Sequence, residues 1–101
     1  MEFFAIGDRE TVLGLRLTGV DGCVVNDRIS AHEALEAAVK RMGIGVVLIT
    51  EKIAALIRDE VDERTYGAGF PLVLEIPDGS GPAATRLKLE DAVRKAIGIS
   101  I

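Results

Sequence analysis

The chain has too little cysteine for an internal disulfide, because Cys23 is its only one. A single thiol favours a reducing compartment such as the cytosol. Long apolar runs are also missing: those present, such as residues 46–49, fall far short of the ~20 residues that a membrane-spanning helix needs. Residues 1–4 carry no basic stretch of a secretory signal peptide. These absences argue against disulfide-stapled and membrane-inserted proteins.

Positive charge is scarce as well. Twelve Lys and Arg residues stand against 16 Asp and Glu residues, which gives a net charge of -4. Nucleic-acid binding depends on clustered basic side chains that displace counterions, and no such cluster is visible. What the chain does have is a 49% hydrophobic content within 101 residues, enough to fill the core of one domain.

Short apolar runs alternate with helical patterns along the chain, which predicts a four-stranded parallel sheet with covering helices. The fold class is therefore α/β, a single domain of Rossmann-like or receiver-like topology that ends in a C-terminal helix. The predicted strands cover residues 3–6, 23–25, 45–49 and 72–76, and the predicted helices begin near residues 9, 30, 50 and 86. The expected divisions are a core at 1–76, a connector at 77–85 and a helical end at 86–101.

Local signals predict where several elements begin and which side they bury. Asp8 is expected to cap the first helix, whose one apolar side would consist of Leu13 and Leu17 with Val12 and Arg16, and Gly19 is expected in the turn after it. Ser30 and Glu33 match a capping box before a helix whose inward residues would be Leu35, Ala38, Val39 and Met42.

The second half of the core has equally clear signals. Thr50 is expected to cap a third helix that follows the central strand. Residues 59–69 are predicted to form a polar loop. The single charge of the last strand, Glu75, predicts an edge position, where one side of the strand can reach water.

The glycines after the first strand do not make a nucleotide site. Gly7, Gly14 and Gly19 are too widely spaced for a dinucleotide fingerprint, and no Lys beside a second glycine completes a phosphate-binding loop. A receiver-like reaction would need an aspartate at the end of the third strand, where the chain has Ile49 and Thr50. We therefore expect no bound cofactor and interpret Asp8 as a helix cap.

No catalytic or metal site is expected either. His32 is the only histidine, and the sequence places no cysteine or paired carboxylate beside it, which predicts a poor metal site. Cys23 is interpreted as a small core residue. The acids of residues 59–63 match no calcium loop and are interpreted as a solvated surface.

The last predicted helix has one apolar stripe, which can be buried once, on the protein's own sheet or on another protein. Its members recur at helical spacing: Leu89, Ala92, Val93, Ala96 and Ile97. Composition does not decide between the two surfaces. The connector before it contains Gly79, Ser80, Gly81 and Pro82, which would permit either arrangement.

Four segments in register resemble the F subunit of the V/A-type rotary ATPases. They are "IGDRETVLGLRLTGV" at 6–20, "VVLITEKIAALIRDEVD" at 46–62, "PLVLEIPDGSGP" at 71–82 and "VRKAIGISI" at 93–101. The resemblance implies a non-catalytic central-stalk subunit that binds the coiled-coil shaft, which is the D subunit. Through the shaft it would act on the catalytic A/B hexamer and the membrane rotor, helping to couple or regulate ATP synthesis or hydrolysis with proton or sodium transport.

On this resemblance the protein would be cytoplasmic, peripheral to the membrane, and would contact the D subunit through its last helix. The expected partner-binding residues are Arg86, Leu89, Val93, Arg94 and Ile97. The alternative is a stand-alone receiver-like or small-ligand module, whose ligand would lie near Asp8, Asn26 and Thr50 at the carboxyl ends of the strands.

Overall fold

The computed structural model of the chain describes residues 2–67, 69 and 71–77. The elements are β1 (Glu2–Gly7), α1 (Arg9–Arg16), β2 (Asp21–Val24), α2 (Arg28–Lys40), β3 (Ile44–Thr50), α3 (Glu51–Leu56), α4 (Arg58–Tyr66) and β4 (Leu72–Ile76). The predicted C-terminal helix, and the predicted connector beyond Pro77, lie outside the described residues.

The four strands form one parallel sheet in the order β2-β1-β3-β4. All seven residues of β3 are buried, which fits an apolar strand lying between two others and covered on both faces. The prediction of a central strand here is confirmed, and so is the edge position of the last strand.

The register between β1 and β3 shifts by one residue near their start. Glu2 pairs with Ile44, whereas Phe3 pairs with Val46, so Gly45 is an additional residue in β3. An inserted residue changes the alternation of a strand. Ile44 consequently belongs to the same core cluster as Val47 and Ile49.

The core has one layer on each face of the sheet. The larger layer joins the sheet to α2, α3 and α4, with helical contributions from Ala31, Ala34, Leu35, Ala38, Ile53, Ala54 and Val61. The smaller layer joins the sheet to α1 and consists of Ala5, Leu15, Val46, Leu48 and Ile76, with partly buried neighbours that include Phe3 and Leu74. Within the described part of the chain, no helix is long and apolar enough to cross a bilayer.

The helix α1 buries a side that agrees only in part with the predicted one. Val12 and Leu15 are 1% and 0% exposed, whereas Leu13 and Leu17 are 45% and 77% exposed. The buried side includes Gly14, and a residue without a side chain lets the helix lie close to its neighbours. The predicted side is confirmed at Val12 and wrong at Leu13, Leu17 and Arg16, which are exposed.

The helix α2 begins before the predicted cap. Asp27, not Ser30, is the N-cap: its Oδ1 accepts from the Ser30 backbone N–H at 2.7 Å, and its own N–H donates to Ser30 Oγ at 3.4 Å. The prediction of a box between Ser30 and Glu33 is wrong, because the helix begins three residues earlier and Asp27 accepts from the N–H of Ser30 in its first turn. The helix ends at Lys40, which leaves Met42 94% exposed rather than inward.

Residues 58–66 form the helix α4, so the prediction of a polar loop over 59–69 is wrong for most of its length. The helix has almost no apolar pattern, and Val61 is its only buried residue. Tertiary contacts therefore hold it. Arg58 donates from both terminal nitrogens to Glu75 on β4, at 2.5 and 2.9 Å, and to Asp62 at 3.2 Å.

The ion pair between Arg58 and Glu75 is expected to make the stability of the fold depend on pH. Hydrogen bonds from Arg58 hold the pKa of the Glu75 carboxyl below its ordinary value of 4.5, against the opposing effect of burial. A lowered native pKa stabilises the fold above the ordinary value, and this contribution disappears as the pH falls through the native value. We expect Glu75→Gln to lower the melting temperature at pH 7 by about 2–5 °C, and by progressively less below pH 4.5.

Melting curves of both proteins between pH 7 and pH 2.5 measure this, with the exposed Glu33→Gln as the matched control. A difference between wild type and Glu75→Gln that persists unchanged at pH 2.5 would contradict the assignment of the effect to a charged Glu75.

Candidate functional site

The carboxyl edge of the sheet is where the small-ligand alternative places its site. Asp8 follows β1, Asn26 follows β2 and Thr50 ends β3. The strand order reverses its direction of growth between β1 and β3, which is the point where doubly wound folds bind ligands. The topology thus brings the three residues to one edge, as the sequence predicts.

Asp8 at this edge is engaged with the first turn of α1. Its carboxylate accepts from the Thr11 backbone N–H at 3.2 Å and from Thr11 Oγ1 at 2.7 Å. Partial burial opposes ionisation of Asp8, but the hydrogen bonds from Thr11 outweigh it and lower the pKa of the carboxyl. The prediction that Asp8 caps this helix is confirmed.

The side chain of Thr50, at the end of β3, packs beside Gly7 at the end of β1. It is 1% exposed, and its Oγ1 accepts from the Ile53 backbone N–H at 3.4 Å as the predicted cap of α3. Its Cγ2 lies only 2.6 Å from the place that a Cβ on Gly7 would occupy. Gly7 is therefore needed for close packing against Thr50. The side-chain oxygens of Asp8 and Thr50 both accept hydrogen bonds from the protein's own backbone.

A second feature of the exposed surface is a set of large apolar side chains that the spacing of apolar residues in the sequence does not explain. Among the residues that the structure describes, four are at least 70% exposed: Leu17, Ile29, Met42 and Tyr66. They lie at the C-cap of α1, the start of α2, the turn after α2 and the end of α4. The residues expected to bind a partner, Arg86, Leu89, Val93, Arg94 and Ile97, lie outside the described residues, and that assignment stays a prediction.

A third feature joins α2 to α4. His32 and Glu36 on α2 and Glu60 on α4 offer ligand atoms that all lie within 4.8 Å of one another. The expectation that His32 has no carboxylate pair nearby is wrong. The sequence does show one signal, the four-residue spacing of His32 and Glu36 on a helix. Glu60 could not be added because its segment was expected to be a loop.

Strand order 2-1-3-4 with helices on both faces defines a doubly wound α/β domain, and its carboxyl edge carries helix caps. A crystal structure described as the V-type ATP synthase F subunit of Archaeoglobus fulgidus has a similar fold. The TM-score is 0.56 at 24% identity, over 77% of this chain and 96% of that one.

Sequence comparison is more specific. The family model of the ATP synthase (F/14-kDa) subunit matches residues 3–97. An A-type ATP synthase F subunit of Methanothermobacter thermautotrophicus is 36% identical over 98 residues, covering 95% of this chain and 92% of the relative. The corresponding protein of Thermococcus gammatolerans is 36% identical over 106 residues, covering 100% and 98%. The chain belongs to the family of ATP synthase F subunits.

Membership of this family makes the chain a subunit of a V/A-type ATPase complex, with other subunits as its partners, and not an enzyme in its own right. The resemblance stated from the four sequence segments is confirmed. The alternative of a stand-alone module has no comparable support, because the match extends over almost the whole chain.

Proposed function

We propose that this protein is the central-stalk subunit that binds the coiled-coil shaft, the D subunit, and helps to couple or regulate ATP synthesis and hydrolysis. The α/β core acts as a rigid body, and residues 86–98 supply the contact. Leu89, Val93 and Ile97 bury apolar surface against the shaft, while Arg86 and Arg94 pair with its acidic side chains. On this proposal the protein works at the cytoplasmic face of the membrane, as a peripheral part of the complex.

The observation that carries the proposal is the extent of the family match, which reaches residue 97 and so includes the apolar stripe of the last predicted helix. The helix caps of the described core also support the proposal. Asp8, Asp27 and Thr50, the polar caps nearest the carboxyl edge, accept hydrogen bonds from the chain's own helices. A protein of this kind acts through surface contact, and a single apolar stripe is suited to a helical partner.

The stripe is expected to dominate binding to the shaft. We expect the full-length triple variant Leu89→Ser, Val93→Ser, Ile97→Ser to bind the D subunit of the same organism at least about tenfold more weakly, because each substitution removes apolar surface from the contact. Isothermal titration calorimetry with the two purified proteins measures the change. Raising the salt concentration should also weaken binding of the wild-type protein to the D subunit, because salt screens the proposed ion pairs of Arg86 and Arg94.

The matched control is the double variant Leu13→Ser, Leu17→Ser, which replaces two exposed leucines in α1 and at its C-cap. Circular dichroism and melting temperature establish that both variants keep the folded core. Undiminished affinity in the stripe variant would refute the proposed contact, and a loss confined to the α1 variant would move the contact to the outer face of α1.

A further inference from the structure

One imidazole and two carboxylates converge between α2 and α4. His32 and Glu36 are four residues apart on α2 and therefore project from the same side of the helix. Glu60, in the first turn of α4, meets them from the facing helix, and its Oε1 contacts the Nδ1 atom of His32. One ligand atom from each of the three residues lies within 4.8 Å of the other two.

We propose that His32, Glu36 and Glu60 form a binding site for a divalent transition-metal cation, with zinc as the best match. Three atoms no more than 4.8 Å apart can all approach a common centre, and small rotations of their side chains bring them to the 2.0–2.2 Å bonds that zinc makes with His and Glu. A nitrogen ligand beside two oxygens favours zinc over magnesium and calcium, which prefer oxygen alone. A water molecule completes a tetrahedral set.

The charges around the cluster favour a cation. Glu36 and Glu60 bring two carboxylates to the cluster, and a divalent ion balances both charges. Lys40 Nζ lies 3.9 Å from Glu36, but this pair is an exposed contact with a 78% exposed lysine side chain, and such contacts are weak. Glu63 and Arg64 line a cleft with Glu36 and Glu60, and Arg28 and Asp59 line a second cleft with Glu60. Each pair adds one charge of each sign, so the negative balance at the three ligands remains.

A metal ion bound at this cluster would link α4 to α2. Apart from the contact between Glu60 and His32, the helix α4 is held by one buried side chain, Val61, by the ion pair between Arg58 and Glu75, and by a hydrogen bond from Thr65 to the Val73 carbonyl at 3.4 Å. A metal bound by two ligands from α2 and one from α4 would tie this weakly anchored helix to the body of the protein. All three ligands belong to the described residues and lie outside the segment 86–98 that is proposed to contact the shaft.

Zinc titration of the full-length chain tests the site. The protein is produced without a histidine tag, so that His32 remains its only imidazole, and is freed of metal with a chelator. We expect saturable binding of zinc by calorimetry, a shift of the single imidazole's nitrogen resonances in NMR, and a rise in melting temperature. His32→Ala and Glu60→Gln should each weaken binding by at least about tenfold.

Control variants separate this site from other zinc binding. Glu33→Gln removes the same charge from the exposed side of α2 and should leave the affinity within about twofold, since it touches no ligand. Cys23→Ser removes the only thiol and should likewise have no effect. Unfolding in the presence of chelator shows that each variant keeps its fold. Zinc affinity unchanged by His32→Ala, an unmoved imidazole resonance, or equal binding of magnesium would overturn the proposal.

Discussion

Replacing Leu48 by alanine is expected to lower the free energy of unfolding by about 3–5 kcal/mol, measured by chemical denaturation. Leu48 lies in the middle of β3, is 0% exposed, and packs with Leu15 and Ile76 in the smaller core layer. Its strand is paired on both sides, with Ala5 on β1 and Leu74 on β4 opposite Leu48. The flanking strands cannot close the space that the shorter side chain leaves, so the cavity remains.

The matched control is Leu17→Ala, the same change at a leucine that is 77% exposed at the end of α1. Its effect should stay within about 0.5 kcal/mol. Comparable losses at the two positions would mean that Leu48 does not lie in a closely packed core layer, and would contradict the sheet order on which its burial depends.

Valine in place of Gly22 should destabilise the fold by about 2–3 kcal/mol, through crowding rather than through a cavity. A Cβ at this position would lie 2.7 Å from the Ala5 carbonyl oxygen and 3.1 Å from Cγ1 of Val12. The oxygen belongs to the backbone of β1, which is fixed in the sheet, so either β2 or α1 must move outward. Denaturant titration measures the loss.

A graded pair of substitutions identifies the cause. Gly22→Ala should cost less than Gly22→Val, about 1–2 kcal/mol, because it adds only the first atom. The neighbouring Cys23→Val adds a branched side chain at a half-buried position and should stay within about 1 kcal/mol. A Gly22→Val variant as stable as wild type would show that α1 does not pack over this point of β2.

The element types were predictable wherever the local pattern was strong. The run at 45–49 is apolar at every position after its glycine and is the buried strand β3. Asp8 and Thr50 precede helices and cap them, because a side-chain oxygen can satisfy the free N–H groups of a first turn. The resemblance of four ordered segments to the V/A-type ATPase family was equally a property of the sequence, and the family match confirms it.

Three features could not be predicted from local pattern. The helix α4 has no apolar periodicity, so its sequence resembles a loop, and its hydrogen bonds to β4 join residues 17 and 8 positions apart. The buried side of α1 shares only Val12 with the predicted one, because Leu15 packs against the sheet in the smaller core layer. The cluster at His32 requires Glu60, 28 residues away, which only the packing of α4 against α2 brings near.

The sequence by itself determined the alternating α/β fold, the caps of α1 and α3 and the family, because these depend on hydrophobic period, single-residue signals and ordered motifs. Only the tertiary structure decided which side α1 buries, that residues 58–66 are helical, and that His32 lies beside two carboxylates. Each of these rests on contacts between residues far apart in the chain, whose free energy outweighs weak local preferences.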